Sequence, residues 1–184
     1  MNTIRLRGTS FFYLKAFLIA FLLTGMSVNA YAQNFYGGFS IGSFDDEIIS
    51  DSDTGWKIFG GYQLNPNFAI EVAYVDLGTV EESAFGSSIS ADQSGISGTI
   101  VGIAPLNSQF SLFGKFGLFL WDSDIKFTNV FPLGTGSASD SGTDITYGFG
   151  AKVDLQKAIS LRAEWEHFED DIGDLFSIGI SFKF

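Results

Sequence analysis

Glu71, Glu164 and Glu166, together with Lys57, Lys115, Lys152 and Arg162, stand as isolated charges inside glycine-, aromatic- and aliphatic-rich stretches of a 184-residue chain. Two carboxylates could act as an acid and a base if their surroundings drove their proton affinities apart. Glu164 and Glu166 instead share one face with basic partners, so ion pairing is the chemistry to expect, and paired-carboxylate catalysis has no support. His167 is the only histidine. A nucleophile working with it would need a serine close by, but two residues on stands Glu169; beside Trp165, the ring reads as an interfacial aromatic-belt residue. No cofactor and no metal site are implied. Cysteine is absent, which removes thiolate sites and disulfides. The acids lack EF-hand spacing, and no glycine cluster carries a P-loop lysine. A formal charge of −11 repels phosphate backbones, so no nucleic-acid partner is expected.

Charges spaced in this way need strands to hold them. The chain is 46% apolar with 21 Phe, 6 Tyr and 22 Gly, too hydrophobic for disorder, and period-two alternation recurs along it. It marks eight segments: 35–42, 56–64, 68–74, 94–105, 110–120, 145–155, 159–166 and 177–184. In the fifth, Phe110, Leu112, Phe116, Leu118 and Leu120 oppose Ser111, Phe113, Lys115 and Phe119. In the fourth the two faces are alike and no register is assigned. Connections alternate between short (65–67, 106–109, 156–158) and long (43–54, 78–93, 122–143, 168–175). Strands of about ten residues with this alternation of turns describe an all-β fold, an eight-stranded antiparallel up-and-down transmembrane β-barrel with its short turns in the periplasm.

Which face points inward follows from the charges. A soluble lipocalin-like barrel would need an apolar interior, yet the less aliphatic face holds Lys57, Glu71, Lys115, Lys152, Arg162, Glu164 and Lys183, too many charges for a dry cavity. The aliphatic face therefore meets lipid. An eight-stranded interior is only wide enough for side chains, so Glu71, Glu164 and Glu166 should pair across it with Lys57, Lys115, Lys152 and Arg162 and plug the lumen, with Glu71 and Lys115 at similar height. A gated pore lined by movable ion pairs is the alternative. Gly38, Gly61, Gly117, Gly148, Gly150 and Gly179 should make room for inward aromatics such as Phe59 and Phe113. Trp56, Trp121 and Trp165 lie near the loop ends of their strands, where an aromatic girdle belongs.

The first 32 residues read as a separate, cleaved segment. Arg5, Arg7 and Lys15 precede the uncharged run from Ala16 to Val28, and Ala30-Tyr31-Ala32 follows, the order of a secretory signal peptide. Thirteen helical residues reach only about 20 Å, short of a hydrocarbon core of roughly 30 Å, and no later stretch is long and apolar enough for a membrane helix. Residues 33–184 then form the barrel domain, with 7 bases against 21 acids. Seventeen of those acids fall in or beside the long connections: Asp45, Asp46, Glu47, Asp51 and Asp53; Asp76, Glu81, Glu82 and Asp92; Asp122, Asp124, Asp140 and Asp144; Glu169, Asp170, Asp171 and Asp174. They read as a solvated rim. The sharper alternative is a rim that gathers divalent cations shared with lipopolysaccharide.

The segment GYQLNPNFAIEVAYVDLG, Gly61 to Gly78, resembles the second hairpin of the OmpA-like eight-stranded outer-membrane barrel family. FSLFGKFGLFLW, Phe110 to Trp121, and SLRAEWEHF, Ser160 to Phe168, are similar to further parts of it, and the likeness runs through 33–184. Larger members carry a periplasmic peptidoglycan-binding domain; this chain ends at the barrel, so that function is not carried over. Ser177, Gly179, Phe182 and Phe184 resemble the carboxyl-terminal signature by which such barrels are recognised for assembly. The resemblance implies outer-membrane localisation, contact with lipid and lipopolysaccharide, and barrel assembly machinery and periplasmic chaperones as partners of a monomer. The expected function is structural, a plugged barrel presenting four acidic extracellular loops, with a small-solute or ion pore or an adhesin as alternatives.

Overall fold

Alternating side chains become alternating faces because successive Cβ atoms of a strand point to opposite sides of the sheet. A computed structural model describes residues 34–45, 52–84, 87–130, 134–169 and 172–184. The expected signal peptide, and Asp46, Glu47, Asp51, Asp170 and Asp171 of the long connections, lie outside the described residues. The strands are β1 (Phe35–Asp45), β2 (Ser52–Asn65), β3 (Phe68–Ala84), β4 (Ser87–Pro105), β5 (Phe110–Val130), β6 (Gly134–Gln156), β7 (Ile159–Phe168) and β8 (Gly173–Lys183). Each pairs antiparallel with the next, and β8 returns to β1 from Tyr36↔Lys183 to Asp45↔Asp174, closing the barrel. Closure satisfies every ladder and leaves no edge in the lipid.

Two of the three short turns are built by asparagines. Asn65 Oδ1 accepts from the Asn67 amide at 2.9 Å, and Asn107 Oδ1 accepts from the amides of Gln109 and Phe110 at 2.9 Å each. Such side-chain bonds replace backbone partners in a tight turn. At the other end the strands run further than alternation indicates. β3 and β4 stay paired to Ala84↔Ser87, and β5 and β6 to Val130↔Gly134. The connections expected over 78–93 and 122–143 are therefore largely strand, and Asp92, Asp122, Asp124, Asp140 and Asp144 are strand residues, not loop acids. The extension of β3 starts at a bulge, where register shifts between Asp76 and Thr79. Gly78 adopts a φ of 87° there, and its amide donates to Asp76 Oδ1 at 3.0 Å; only glycine takes that conformation without strain.

Outward faces carry Phe39, Ile41, Ile70, Ile100, Phe116, Leu118, Phe149 and Ile178, all exposed. The register of β4 is now fixed, with Gly95, Ser97, Thr99 and Val101 inward and Ile96 and Ile100 outward. Inside, residues sort by height. Toward the long connections Phe44, Val75, Leu77, Phe119, Phe168, Ile172 and Leu175 form one apolar cluster with Phe59 and Ala73. Phe119 and Phe168 meet at 4.5 Å between ring centroids. Toward the short turns Ala69, Val101 and Phe113 form a smaller one. The charged residues lie between.

Candidate functional site: a charged layer across the lumen

Six ionisable side chains from four strands meet in that middle layer: Lys57 of β2, Glu71 of β3, Lys115 of β5, and Arg162, Glu164 and Glu166 of β7. All are buried, none more than 6% exposed. Three cations face three carboxylates. Arg162 Nη1 donates to Glu71 Oε2 at 2.8 Å and Nη2 to Glu71 Oε1 at 3.4 Å; Nη2 also reaches Glu164 Oε2 at 2.5 Å. Glu164 Oε1 accepts from Lys57 and, at 3.5 Å, from Lys115. Glu166 Oε2 then accepts from Lys57 at 2.8 Å and Lys115 at 2.6 Å. The result is one continuous chain from Glu71 through Arg162 and Glu164 to the two lysines and Glu166.

Neutral groups complete it. Tyr36 Oη donates to Glu71 Oε2 at 3.0 Å, and Thr146 Oγ1 to Glu166 Oε1 at 3.3 Å. The Arg162 guanidinium lies between two rings, 4.3 Å from the Phe59 centroid and 4.7 Å from that of Phe113. Those rings need glycines opposite them. A Cβ on Gly38 would come within 2.5 Å of Phe59 Cζ, and one on Gly150 within 2.5 Å of Phe113 Cζ. Tyr36 and Thr146 were not among the residues singled out from sequence, although both stand on the polar parity of their strands, which is the signal that finds them.

Two expectations about the layer require correction. Lys152 does not join the layer: it pairs with Asp154 at 3.3 Å, part-exposed, near the short-turn end. In register it faces Arg162, while Glu164 faces Gly150 two residues nearer the long connections, so the carboxylates lie beyond a cation it would have to pass. Glu71 and Lys115 do not pair directly either; Glu71 is taken by Arg162 and Tyr36, and Lys115 by the β7 carboxylates. Strands of a barrel are tilted and staggered, so two mid-strand positions need not share a height.

Of the tryptophans, Trp56 and Trp165 point outward into aromatic groups. Trp56 stacks on Phe39 at 6.3 Å and meets Tyr74 at 5.4 Å; Trp165 meets Phe149 at 5.2 Å and Tyr147 at 6.0 Å. Trp121 departs from the expected girdle. It shares the inward parity of Phe119, packs against the inner apolar cluster, and its indole Nε1–H donates to Asp144. His167 faces outward beside Trp165, its Nδ1 2.7 Å from Asp174 Oδ1. In β8, Ser177 points inward and buried, a Cβ on Gly179 would strike Ser40 Oγ at 2.3 Å, and Phe182 and Phe184 lie outward. The Phe184 amide donates to Phe35 O at 3.0 Å, so the last residue is bonded to the first strand.

An aliphatic outer surface, a charged interior layer and a closed antiparallel sheet of eight strands define a transmembrane β-barrel of the outer-membrane type. The chain belongs to the outer membrane protein beta-barrel domain family, whose description matches residues 18–184, and is located in the bacterial outer membrane. It is 25% identical over an alignment of 194 residues to Outer membrane protein A of Salmonella typhi, covering 92% of this chain and 55% of the relative. The chain thus spans about half the length of that relative. Two solved barrels share the fold. Neisserial surface protein A has a TM-score of 0.59 at 15% identity, over 82% of this chain and 97% of that one. Ail of Yersinia pestis, in complex with the heparin analogue sucrose octasulfate, has a TM-score of 0.57 at 17% identity, over 82% and 97%.

Proposed function

We propose that this protein is a structural component of the outer membrane, a non-catalytic barrel whose lumen is plugged and whose outer end is an acidic surface. The observation that carries the plug is the balanced six-charge layer, three cations against three carboxylates with no member more than 6% exposed. The apolar cluster on its outer side reinforces it, because an ion crossing there would shed its hydration against Phe44, Phe119 and Leu175. In this reading export begins with a cleaved segment, residues 1–32, and assembly of the monomer uses Ser177, Gly179, Phe182 and Phe184 as its recognition signature. Planar-bilayer conductance of the purified barrel tests the plug: no discrete channel openings are expected, and a stable ohmic pore in the unmutated protein would establish the pore reading instead.

A second reading, surface interaction through the outer end, is favoured by the continued pairing of β3 to β6 past the level of Trp121. Ail's polysulfated ligand is not transferred with it. A polyanion needs cations, whereas this chain places Asp45, Asp122, Asp124, Asp140 and Asp144 at that end. A partner of this surface would be cationic, or would reach it through divalent metal. Cell-binding assays with the β3–β4 and β5–β6 extensions shortened distinguish a surface role from a purely structural one.

A further inference from the structure

The charges of this chain are sorted by height, and the short-turn end is the cationic one. Lys152, Lys157 and Lys183 gather there, with Asp154 as the acid at the level of the turns. Beneath the charged layer the interior opens to that end as a cavity of about 400 Å³, lined by Gln63, Asn65, Asn107, Ser111, Lys152 and Lys183. A narrower recess shares Gln63, Ser111, Lys152 and Lys183 with it and leads inward past Ser181 to Arg162. The outer space is a polar vestibule, and the recess behind it, about 40 Å³ and walled in part by Tyr36, Val101 and Phe113, ends at the guanidinium.

Three features of its wall call for an anion. The Lys183 ammonium forms no ion pair among the described residues. Lys152 has only Asp154, at 3.3 Å and itself part-exposed. Arg162, which borders the recess, adds a third cation at the inner end. Arg162 is neutralised within the balanced layer, and of the charged side chains on the outer wall Lys152 and Lys183 stand against Asp154, an excess of one positive side chain inside low-dielectric walls that concentrate its field. Neutral donors are at hand in Ser111 and Gln63.

We propose that this vestibule is a binding site for a small oxyanion of phosphate or carboxylate chemistry. Lys183 and Lys152 supply its charge, and the Arg162 guanidinium adds its field from behind the inner end. A phosphate group can reach the site from two sources, as a free anion in the periplasm or as the headgroup of an inner-leaflet phospholipid bent over the short-turn rim.

The test is an NMR titration of the barrel in zwitterionic nanodiscs with inorganic phosphate at constant ionic strength. Saturable shifts confined to the amides of Ser111, Lys152, Lys183 and their neighbours are expected. Lys183→Gln, which breaks no ion pair, should weaken binding several-fold, and Lys152→Gln with Lys183→Gln at least tenfold. Lys157→Gln, in the exposed β6–β7 turn, should leave it unchanged. In a second arm, discs containing phosphatidylglycerol and no added phosphate should shift the same amides if the headgroup is the source. Either arm supports the site. Shifts in neither arm, an equal response to chloride, or an equal loss with Lys157→Gln would overturn it.

Discussion

Replacing Glu71 by Gln keeps the side chain's shape and removes its charge from a layer that balances only when all six members are present. Glu71 accepts from Arg162 at 2.8 and 3.4 Å and from Tyr36 at 3.0 Å. A Gln amide oxygen in the place of Oε2 can retain the bonds from Arg162 Nη1 and Tyr36, but its NH₂ would then face the Arg162 Nη2 donor. Removing one partner of a buried pair typically costs about 3 to 5 kcal/mol because a charge is left uncompensated. Here Arg162 keeps Glu164 at 2.5 Å and its place between Phe59 and Phe113, and a desolvated cation–π contact is worth roughly 0.5 to 2 kcal/mol. Glu71→Gln should therefore destabilise by about 1 to 3 kcal/mol, less than the general range. The assay is reversible urea unfolding of the barrel in lipid vesicles, with Glu71→Gln, Arg162→Met, Lys115→Met and the two double variants compared. Glu71 and Arg162 should couple by at least about 1 kcal/mol, while Glu71 and Lys115, linked only through Arg162 and Glu164, should couple by about half of that or less. Strong coupling of Glu71 to Lys115, or none to Arg162, would refute this arrangement. Conductance should stay closed in Glu71→Gln, because the apolar cluster above the layer is untouched; channel opening in that variant would show that the ion pairs alone close the lumen.

Phe119→Ala, by contrast, removes a ring from the apolar cluster, should cost about 3 to 5 kcal/mol, and should admit more current than Glu71→Gln in the same bilayer measurement. In single-tryptophan variants, Trp56 and Trp165 should be quenched by lipids brominated near the outer interface, and Trp121 should be protected from lipid quenchers at every depth. Deleting Phe184 should lower outer-membrane yield more than truncating the equally outward Phe39, and equal yields would leave the last residue as ordinary lipid-facing surface.

How far the sequence reaches depends on what surrounds each strand. Within the bilayer one face meets lipid and the other the lumen, so the alternation of Leu112, Phe116 and Leu118 with Phe113, Lys115 and Phe119 is legible and assigns the inward set. Beyond the bilayer both faces of a strand meet water. The stretch Gly134 to Asp144, rich in Gly, Ser, Thr and Asp, then carries no contrast to read, and the outer halves of β3 to β6 resemble loops. The same reading hid the apolar cluster, because Phe44, Phe168, Ile172 and Leu175 fall where connections were expected. Trp121 shows two cues in conflict: its nearness to a strand end suggests the girdle, but its parity with Phe119 places it inside, and parity prevails. The residues of the charged layer were legible by type and face. Their partners were not, since barrel stagger decides which side chains share a height.

That charged layer also bears on how the barrel finds its register. A buried ion pair adds little net stability, because desolvation offsets most of the attraction, and apolar replacements of similar volume are often neutral or stabilising by about 1 to 4 kcal/mol. Its larger effect is on the alternatives. A slip of one residue in any strand reverses its faces; for β2 or β7 it would turn Lys57 or Arg162 toward lipid, at about 2 to 4 kcal/mol for each cation near the midplane. β4 has no such charge between Gly95 and Pro105, so its neighbours must fix its position. Replacing Lys57, Lys115 and Arg162 by Met and Glu71, Glu164 and Glu166 by Leu should therefore leave unfolding free energy within about 2 kcal/mol of the native value, with Tyr36 and Thr146 losing their acceptors. The amide spectrum should nevertheless split into several sets of peaks as alternative registers become populated. A single set at native positions, with stability retained, would mean that the turns and glycine contacts fix the register alone and that the charges serve only the lumen.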